Sequence, residues 1–166
     1  MSESQLFLLT GSNLGNTAMH LAKTEKHISN RIGSIQKKSS IYQSPPWGFS
    51  AEQDFLNQVL ICTTILKPLQ VLEEILAIEK LMGRERNESA QYSSRIIDID
   101  ILFFGNEVIQ LKDLQIPHPR LHVRKFTLLP LAEIAGNFIH PTLNKRITDL
   151  LESCEDSGEV LLNQLA

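Results

Sequence analysis

The sequence has few of the features that cross-link a small protein or insert it into a membrane. Two cysteines occur among 166 residues, without a CxxC pair or neighbouring histidines. A zinc site and a disulfide framework are therefore excluded, and two free thiols are predicted. The most apolar segment, residues 96–104, is interrupted by Asp98 and Asp100 and is far shorter than the roughly 20 residues of a membrane helix. The first residues lack the basic and apolar segments of a secretory signal. These absences predict a cytoplasmic protein with no membrane partner.

The chain also has no strong charge of either sign. Sixteen basic residues stand against 19 acidic ones, a formal charge of −3, and a nucleic-acid partner held by a basic surface is therefore excluded. Hydrophobic residues make up 42%, and a chain of this length buries roughly 70% of the surface that its unfolded form exposes. Without repeats or linkers, residues 1–166 are predicted to form a single domain. Lys and Glu spread over the predicted helices favour a monomer.

Hydrophobic periodicity predicts alternating strands and helices. The predicted strands are 5–10, 35–43, 55–66 and 96–104, and the first two helices are 17–32 and 68–82. A turn at Gly105-Asn106 is expected to lead into a short partner strand, 107–111. Later helices are predicted at 124–135, distorted or shortened by Pro130, and at 147–151, before an acidic tail. The order indicates an α+β protein with a ferredoxin-like βαββαβ core, an antiparallel sheet flanked by helices, and appended C-terminal helices.

Two carboxylates stand out in the most hydrophobic strand. Asp98 and Asp100 are two residues apart, so both lie on one face, with roughly 6.5 to 7 Å between their Cα atoms. Leu102 is next on that face, which indicates a cleft rather than open water. Carboxylates at this distance can share a pair of Mg²⁺ ions. A half-buried strand with a wet outer face is the alternative, and the spacing alone leaves both open.

Arginine is concentrated around the same strand. Five of the seven arginines lie between residues 84 and 124, and three of them lie in a polar segment, 84–95, that has no apolar period. Loops of this length are uncommon unless they are functional. Guanidinium groups suit phosphate oxygens, although Glu85 and Glu88 would also fit a solvated loop of Arg–Glu pairs. No P-loop or Rossmann glycine motif occurs, so any ATP is bound in another way.

Aromatic residues are scarce, at 6%, and several gather near one loop. Ser44-Pro45-Pro46-Trp47 contains the only tryptophan, and Phe55 and Asn57 follow on the next predicted strand. Aromatic faces beside an amide suit a flat heterocycle, which stacks on the rings and bonds to the amide at its edge. Simple closure of the core is the alternative. Gly11-Ser12-Asn13 could present backbone N–H groups to an anion or form a plain turn.

In order along the chain, these segments resemble the 6-hydroxymethyl-7,8-dihydropterin pyrophosphokinase family. The matching motifs span about residues 6–151: GSNLG at 11–15, SPPWG at 44–48, FLN at 55–57, RxR at 84–86 after Glu79, RxxDID at 95–100, FGNEVI at 104–109, PHP at 117–119 and RxF at 124–126. The resemblance implies transfer of pyrophosphate from ATP to the hydroxymethyl oxygen of the pterin, with release of AMP, in folate biosynthesis.

The resemblance also implies a role for each matching residue. Asp98 and Asp100 would hold two Mg²⁺ ions, and Arg84 and Arg95 would stabilise the transition state. Residues implied to bind the nucleotide are Arg84, Arg86, Arg95, Ile101 beside the adenine, His118 and Arg124. Residues implied to bind the pterin are Ser44, Pro45, Trp47, Phe55, Asn57, Tyr92 and Phe126. The segment 84–95 would act as a lid, and Glu79 would have a supporting role.

A few positions depart from the family pattern. The run 91–96 lacks the glycine and threonine that are usual there, and Pro119 stands where some members have tyrosine. We expect activity to survive these changes. The alternatives are a catalytically impaired pterin or nucleotide binder, another Mg²⁺-dependent phosphotransferase or hydrolase, and an RNA-binding module. Scarce aromatics and an acidic strand argue against RNA binding.

Overall fold

A computed structural model of the chain describes residues 2–84 and 94–163. Its strands are β1 (Ser4–Ser12), β2 (Ser34–Lys38), β3 (Tyr42–Ser44), β4 (Phe55–Thr64), β5 (Asp98–Phe104), β6 (Ile109–Gln110), β7 (Gln115–Ile116) and β8 (Leu161–Leu162). Its α-helices are α1 (Thr17–Arg31), α2 (Pro68–Leu81), α3 (Lys125–Ala135) and α4 (Ile147–Glu152), and a 3-10 turn spans Leu121–Val123.

The main sheet is antiparallel and has six strands. β1 lies between β4 and β5, β2 and β3 both pair with β4, and β8 pairs with β3. β6 and β7 form a separate two-stranded sheet. The predicted α+β architecture with an antiparallel sheet and helices is confirmed.

Each face of the main sheet has its own hydrophobic core, because successive side chains of a strand point to opposite faces. Leu6 and Leu8 of β1 belong to the core formed with α1 and α2. Phe7 and Leu9 belong to the core formed with α3 and α4. Phe7 also meets Phe103 of β5 edge-to-face, with ring centres 5.4 Å apart. Sheet and helices are therefore tied together on both sides.

An irregularity in β5 lies close to the two aspartates. The register between β1 and β5 shifts between Phe7 and Leu8, so Leu102 has no partner on β1. Bulges of this kind bend a strand and are common near active sites. The carbonyl of Leu102 accepts a hydrogen bond from the backbone N–H of His118, 3.0 Å away. The bulge thus brings the segment around His118 against the strand that carries the aspartates.

Two predicted elements were wrong in extent or pairing. The strand predicted at 35–43 is divided into β2 and β3, because the Ser39 hydroxyl accepts the N–H of Val59 (2.9 Å) in place of a regular ladder bond. The predicted strand 107–111 does not pair with β5; its central residues form β6 and pair with β7. The helix predicted at 124–135 is present as α3, which contains Pro130 and runs on to Ala135. β8 was not predicted, because two leucines in a polar tail show no period.

Single residues set the ends of the first two helices. Asn16 caps α1, with its side-chain oxygen 3.2 Å from the N–H of Met19, and Pro68 opens α2. Gly33 follows α1 where a Cβ atom would lie 2.0 Å from the carbonyl oxygen of Thr63, so only glycine fits. Both cysteines are free thiols. Within the described ranges, no helix is long and apolar enough to cross a membrane.

Candidate active site

One cavity of about 300 Å³ brings most of the predicted site residues together. β1, β4 and β5 form its floor, and the segments 44–49, 118–120 and 124–126 form its walls. The predicted residues that line it are Ser44, Pro45, Trp47, Phe55, Asn57, Arg95, Asp98, Asp100, His118, Arg124 and Phe126. Residues from widely separated segments of the sequence thus meet in one place, as a composite binding site requires.

The remaining predicted site residues lie elsewhere. Glu79 and Arg84 are adjacent to the cavity and contact Asp98 or its strand. Ile101 is buried in the core on the α1 and α2 side of the sheet and does not line the cavity, so its place beside the adenine stays a prediction. Arg86 and Tyr92 lie outside the described residues.

Asp98 is held by two arginines. Its Oδ1 lies 2.7 Å from Nη1 of Arg84 and its Oδ2 lies 3.0 Å from Nη1 of Arg95. The same Arg84 nitrogen is 2.7 Å from Oε2 of Glu79. Glu79 is buried, and its Oε2 also accepts the N–H of Ile99, 3.0 Å away. A continuous network of charge therefore joins α2 to β5 below the cavity.

Asp100 lies on the same face as Asp98, as the period of two predicted, and both line the cavity. Burial and then the charge of Asp98 raise the pKa of Asp100 to about 7, against the opposing effect of Arg124. Carboxylate oxygens are hard ligands of the kind that divalent cations such as Mg²⁺ prefer. One or two carboxylates with phosphate oxygens are the usual ligands of Mg²⁺ in nucleotide enzymes, so this donor pair fits Mg²⁺ bound to ATP.

An aromatic and amide pocket forms the other end of the cavity. Asn57 is buried, and its amide donates a hydrogen bond to the hydroxyl of Ser44 at 2.8 Å. Phe55 and Phe126 both line the cavity. Phe49 lies edge-on to Phe55, with ring centres 6.2 Å apart, and lines it too. Phe49 was not predicted as a site residue, although it directly follows the SPPWG motif.

Arg124 lies between the two ends of the cavity. Its guanidinium carbon is 4.6 Å from the ring centre of Trp47 and 5.6 Å from that of Phe126. Burial lowers the pKa of Arg124, and the carboxylate of Asp100 counteracts this. Stacking of this kind fixes the plane of a guanidinium. Arg124 can therefore present a fixed positive charge beside the carboxylate pair.

His118 is neutral at pH 7. Burial and then the charge of Arg124 lower its pKa to about 4, and Asp98 only partly offsets this. Its Nδ1 accepts the backbone N–H of Arg120 at 3.1 Å, so the ring proton is on Nε2. His118 is thus an uncharged N–H donor at the cavity wall. Arg120 also lines the cavity, although no sequence motif predicts a specific role for it.

Asn13 connects three segments around the cavity. This buried side chain accepts the N–H of Arg95 at 2.7 Å and donates to the hydroxyl of Ser94 at 3.1 Å and to the carbonyl of Gln53 at 3.4 Å. Its own backbone N–H donates to the carbonyl of Arg95 at 3.0 Å. That N–H is therefore engaged by the chain itself, and the role of Asn13 is to hold Arg95 in place.

Comparison with known proteins identifies the family. Residues 7–136 match the model of the 7,8-dihydro-6-hydroxymethylpterin-pyrophosphokinase (HPPK) family. A 2-amino-4-hydroxy-6-hydroxymethyldihydropteridine pyrophosphokinase of Aquifex aeolicus is 39% identical over 144 residues, 87% of this chain and 88% of the relative. The Haemophilus influenzae protein of the same name is 36% identical over 158 residues, 95% of this chain and 97% of its own.

Longer proteins contain a similar region. The folic acid synthesis protein FOL1 of Dictyostelium discoideum is 40% identical over 139 residues, and this chain spans 21% of its length. A solved HPPK-DHPS structure in complex with substrates has a TM-score of 0.74 at 16% identity, covering 92% of this chain and 43% of that one. A Plasmodium falciparum HPPK-DHPS structure has a TM-score of 0.72 at 19% identity, covering 91% and 44%. These two likenesses show the fold.

The family match agrees with the relatives of similar length and with the residues that line the cavity. The chain belongs to the 7,8-dihydro-6-hydroxymethylpterin-pyrophosphokinase family, which confirms the prediction of an ATP-dependent pyrophosphokinase.

Proposed function

We propose that this protein transfers the pyrophosphate group of ATP to the hydroxymethyl oxygen of 6-hydroxymethyl-7,8-dihydropterin, releasing AMP, as a step of folate biosynthesis. The observation that carries the proposal is one cavity in which an aromatic and amide pocket adjoins paired carboxylates flanked by arginines. Both halves are needed, because the reaction joins a flat heterocycle to a polyphosphate.

The pterin would occupy the pocket around Asn57. Phe55 and Phe126 would stack on the two faces of its ring, as in other sites that bind flat heterocycles. The Asn57 side-chain oxygen is an acceptor for the ring edge, while its amide donates to Ser44. Pro45 and Trp47 would complete the wall, and Tyr92 would cover the ring from the segment 84–95, the proposed lid.

Asp98 and Asp100 would hold Mg²⁺, two ions in the proposed arrangement, together with the phosphates of ATP. When bound, Mg²⁺ neutralises phosphate charge and polarises the P–O bonds. Arg84 and Arg95 now neutralise Asp98. We propose that they exchange this carboxylate for phosphate oxygens when ATP enters, so that their charge is available as the β-phosphorus is attacked.

The rest of the cavity wall would orient the nucleotide. Arg124 would contact the triphosphate with a guanidinium already fixed by stacking, and His118 would donate its Nε2–H to a phosphate oxygen. Arg86 and Ile101 are proposed nucleotide contacts on the strength of the family resemblance. In the transfer itself, the hydroxymethyl oxygen bonds to the β-phosphorus. The bond between the β-phosphorus and the α–β bridging oxygen breaks, and AMP leaves with that oxygen. The proton of the hydroxymethyl group passes to Asp100 or to water.

Product analysis tests this function directly. Purified protein is mixed with ATP, Mg²⁺ and 6-hydroxymethyl-7,8-dihydropterin, and the nucleotides and pterins are separated by chromatography. Equal amounts of AMP and pterin diphosphate are expected. Formation of ADP would indicate a phosphotransferase or hydrolase instead, and binding of both substrates without products would indicate an impaired binder.

We also propose that the protein is a single-domain monomer that acts in the cytoplasm. Sedimentation of the pure protein tests its oligomeric state.

A further inference from the structure

The C-terminal segment Cys154–Asn163, called the strap here, lies outside the residues that match the family model, 7–136. It is nevertheless attached to both walls of the cavity. One attachment is to the start of α3, which carries Phe126, and the other is to β3, which ends in Ser44. The two walls that would hold the pterin are therefore joined by a segment that follows α4 in sequence.

The first attachment is made by Asp156. Its Oδ2 accepts the N–H of Lys125, the first residue of α3, at 3.0 Å, and its Oδ1 accepts the N–H of Gly158 at 2.9 Å. Arg124, at the N-cap position of α3, makes no capping bond with its own side chain. A carboxylate at a helix N-terminus satisfies an orphan N–H and interacts favourably with the helix dipole. Asp156 therefore takes the capping role from 31 residues away.

The second attachment is made by β8. Leu161 and Leu162 pair with Gln43 and Tyr42 of β3, and the N–H of Asn163 donates to the carbonyl of Ile41 at 2.8 Å. β3 is only three residues long, so this pairing covers most of its outer edge. Its last residue, Ser44, accepts the hydrogen bond of Asn57.

Glu133, in the last turn of α3, also links α3 to the β3 segment. Its carboxylate accepts the Tyr42 hydroxyl at 2.6 Å and the Ser40 N–H at 2.8 Å. Glu133 lies eight residues beyond Lys125, which is about 12 Å along a helix. The buried side chains of Leu128 and Leu131 hold the middle of α3 against the sheet. Asp156 adds a contact at the N-terminal end of the helix, where Arg124 and Phe126 lie.

We propose that Asp156 is a positioning residue: through the N-terminus of α3 it sets the placement of Arg124 and Phe126, and thereby the affinity for both substrates. This rests on the proposed function for the identity of those substrates. The placement of Arg124 can also be observed without them, because its guanidinium stacks on Trp47, the only tryptophan of the chain.

The test uses three full-length variants. Asp156→Ala removes both hydrogen bonds, Asp156→Asn retains an acceptor oxygen, and Glu159→Ala removes an exposed carboxylate from the same strap as a matched control. Trp47 emission and the Kd values of MgATP and of the pterin are measured at a temperature where all proteins are folded. Asp156→Ala is expected to shift the emission and to weaken both ligands about 3- to 10-fold, the effect of losing a helix N-cap.

The Kd values of Asp156→Asn should stay within about twofold of those of wild type, and the Kd values of Glu159→Ala should equal those of wild type. A purely structural role would lower the melting temperature of Asp156→Ala but leave the emission and both Kd values of the folded protein unchanged, and that result would overturn the proposal. If wild type formed no AMP, the proposed function would fail, whereas Trp47 emission would still test Asp156.

Discussion

Glu79 should be among the residues most costly to remove, although it does not line the cavity. Its side chain is 2% exposed, and one oxygen, Oε2, accepts hydrogen bonds from both Arg84 at 2.7 Å and the N–H of Ile99 at 3.0 Å. Glu79→Ala would leave the N–H of Ile99 without this acceptor and Arg84 with only one of its two carboxylates.

The magnitude follows from these two losses. A buried polar group without its partner costs about 1–3 kcal/mol, and removal of one member of a buried ion pair costs about 3–5 kcal/mol. The two overlap because the same oxygen serves both, so the total is about 3–5 kcal/mol. For a protein of this size, each kcal/mol lowers the melting temperature by about 2–4 °C. Glu79→Ala should therefore melt roughly 10 °C below wild type, and Glu79→Gln, which keeps an acceptor, should lose less than half as much.

Urea and thermal unfolding followed by circular dichroism measure these differences. Arg84→Met in the Glu79→Ala background provides the control, because removing both charges costs less than the sum of the single losses. A Glu79→Ala protein within about 1 kcal/mol of wild type would refute the reasoning, since a loss that small is typical of an exposed pair rather than a buried one.

Three further predictions concern the cavity. Asn13→Ala should lower kcat at least about tenfold because Arg95 loses the side chain that holds its backbone. The control Asn16→Ala, which removes the cap of α1, should cost about 1 kcal/mol of stability without changing kcat. Equal kcat values for the two variants would contradict this. Asn57→Ala should raise the Kd of the pterin at least about tenfold and leave that of ATP unchanged, measured by calorimetry; parallel changes would contradict it. Because the pKa of Asp100 is raised to about 7 from about 3.9 when unfolded, the neutral form stabilises the fold below pH 4, and this stability is lost as pH rises to 7. Without Mg²⁺, Asp100→Asn should thus melt higher than wild type at pH 8 but not at pH 4; identical pH profiles would contradict this.

Local sequence patterns predicted the parts of the site that depend on one segment. The period of two in β5 placed Asp98 and Asp100 on one face, and the SPPWG loop with Phe55 and Asn57 on the next strand came together as a pocket. The register shift that leaves Leu102 without a partner did not disturb this, because it lies beyond both aspartates.

Those local patterns do not predict contacts between distant segments. The Asn13 side chain accepts a hydrogen bond from the backbone of Arg95, 82 positions away. No spacing in the sequence predicts this contact. β3 separates from β2 because Ser39 bonds to Val59 on another strand. β8 is defined by its pairing partner rather than by its own two leucines. In each case the decisive partner is brought near only by the folded sheet.

We propose that pyrophosphate is transferred in the cavity around Asp98 and Asp100. AMP formation from ATP, Mg²⁺ and 6-hydroxymethyl-7,8-dihydropterin, compared between wild type and Asp100→Asn, tests it most directly. The variant keeps the shape of the side chain and should remain folded by circular dichroism. We predict that AMP formation falls at least about a thousandfold, as expected for loss of electrostatic stabilisation at the reacting phosphates. A folded Asp100→Asn protein that forms AMP at more than a tenth of the wild-type rate would contradict the assignment.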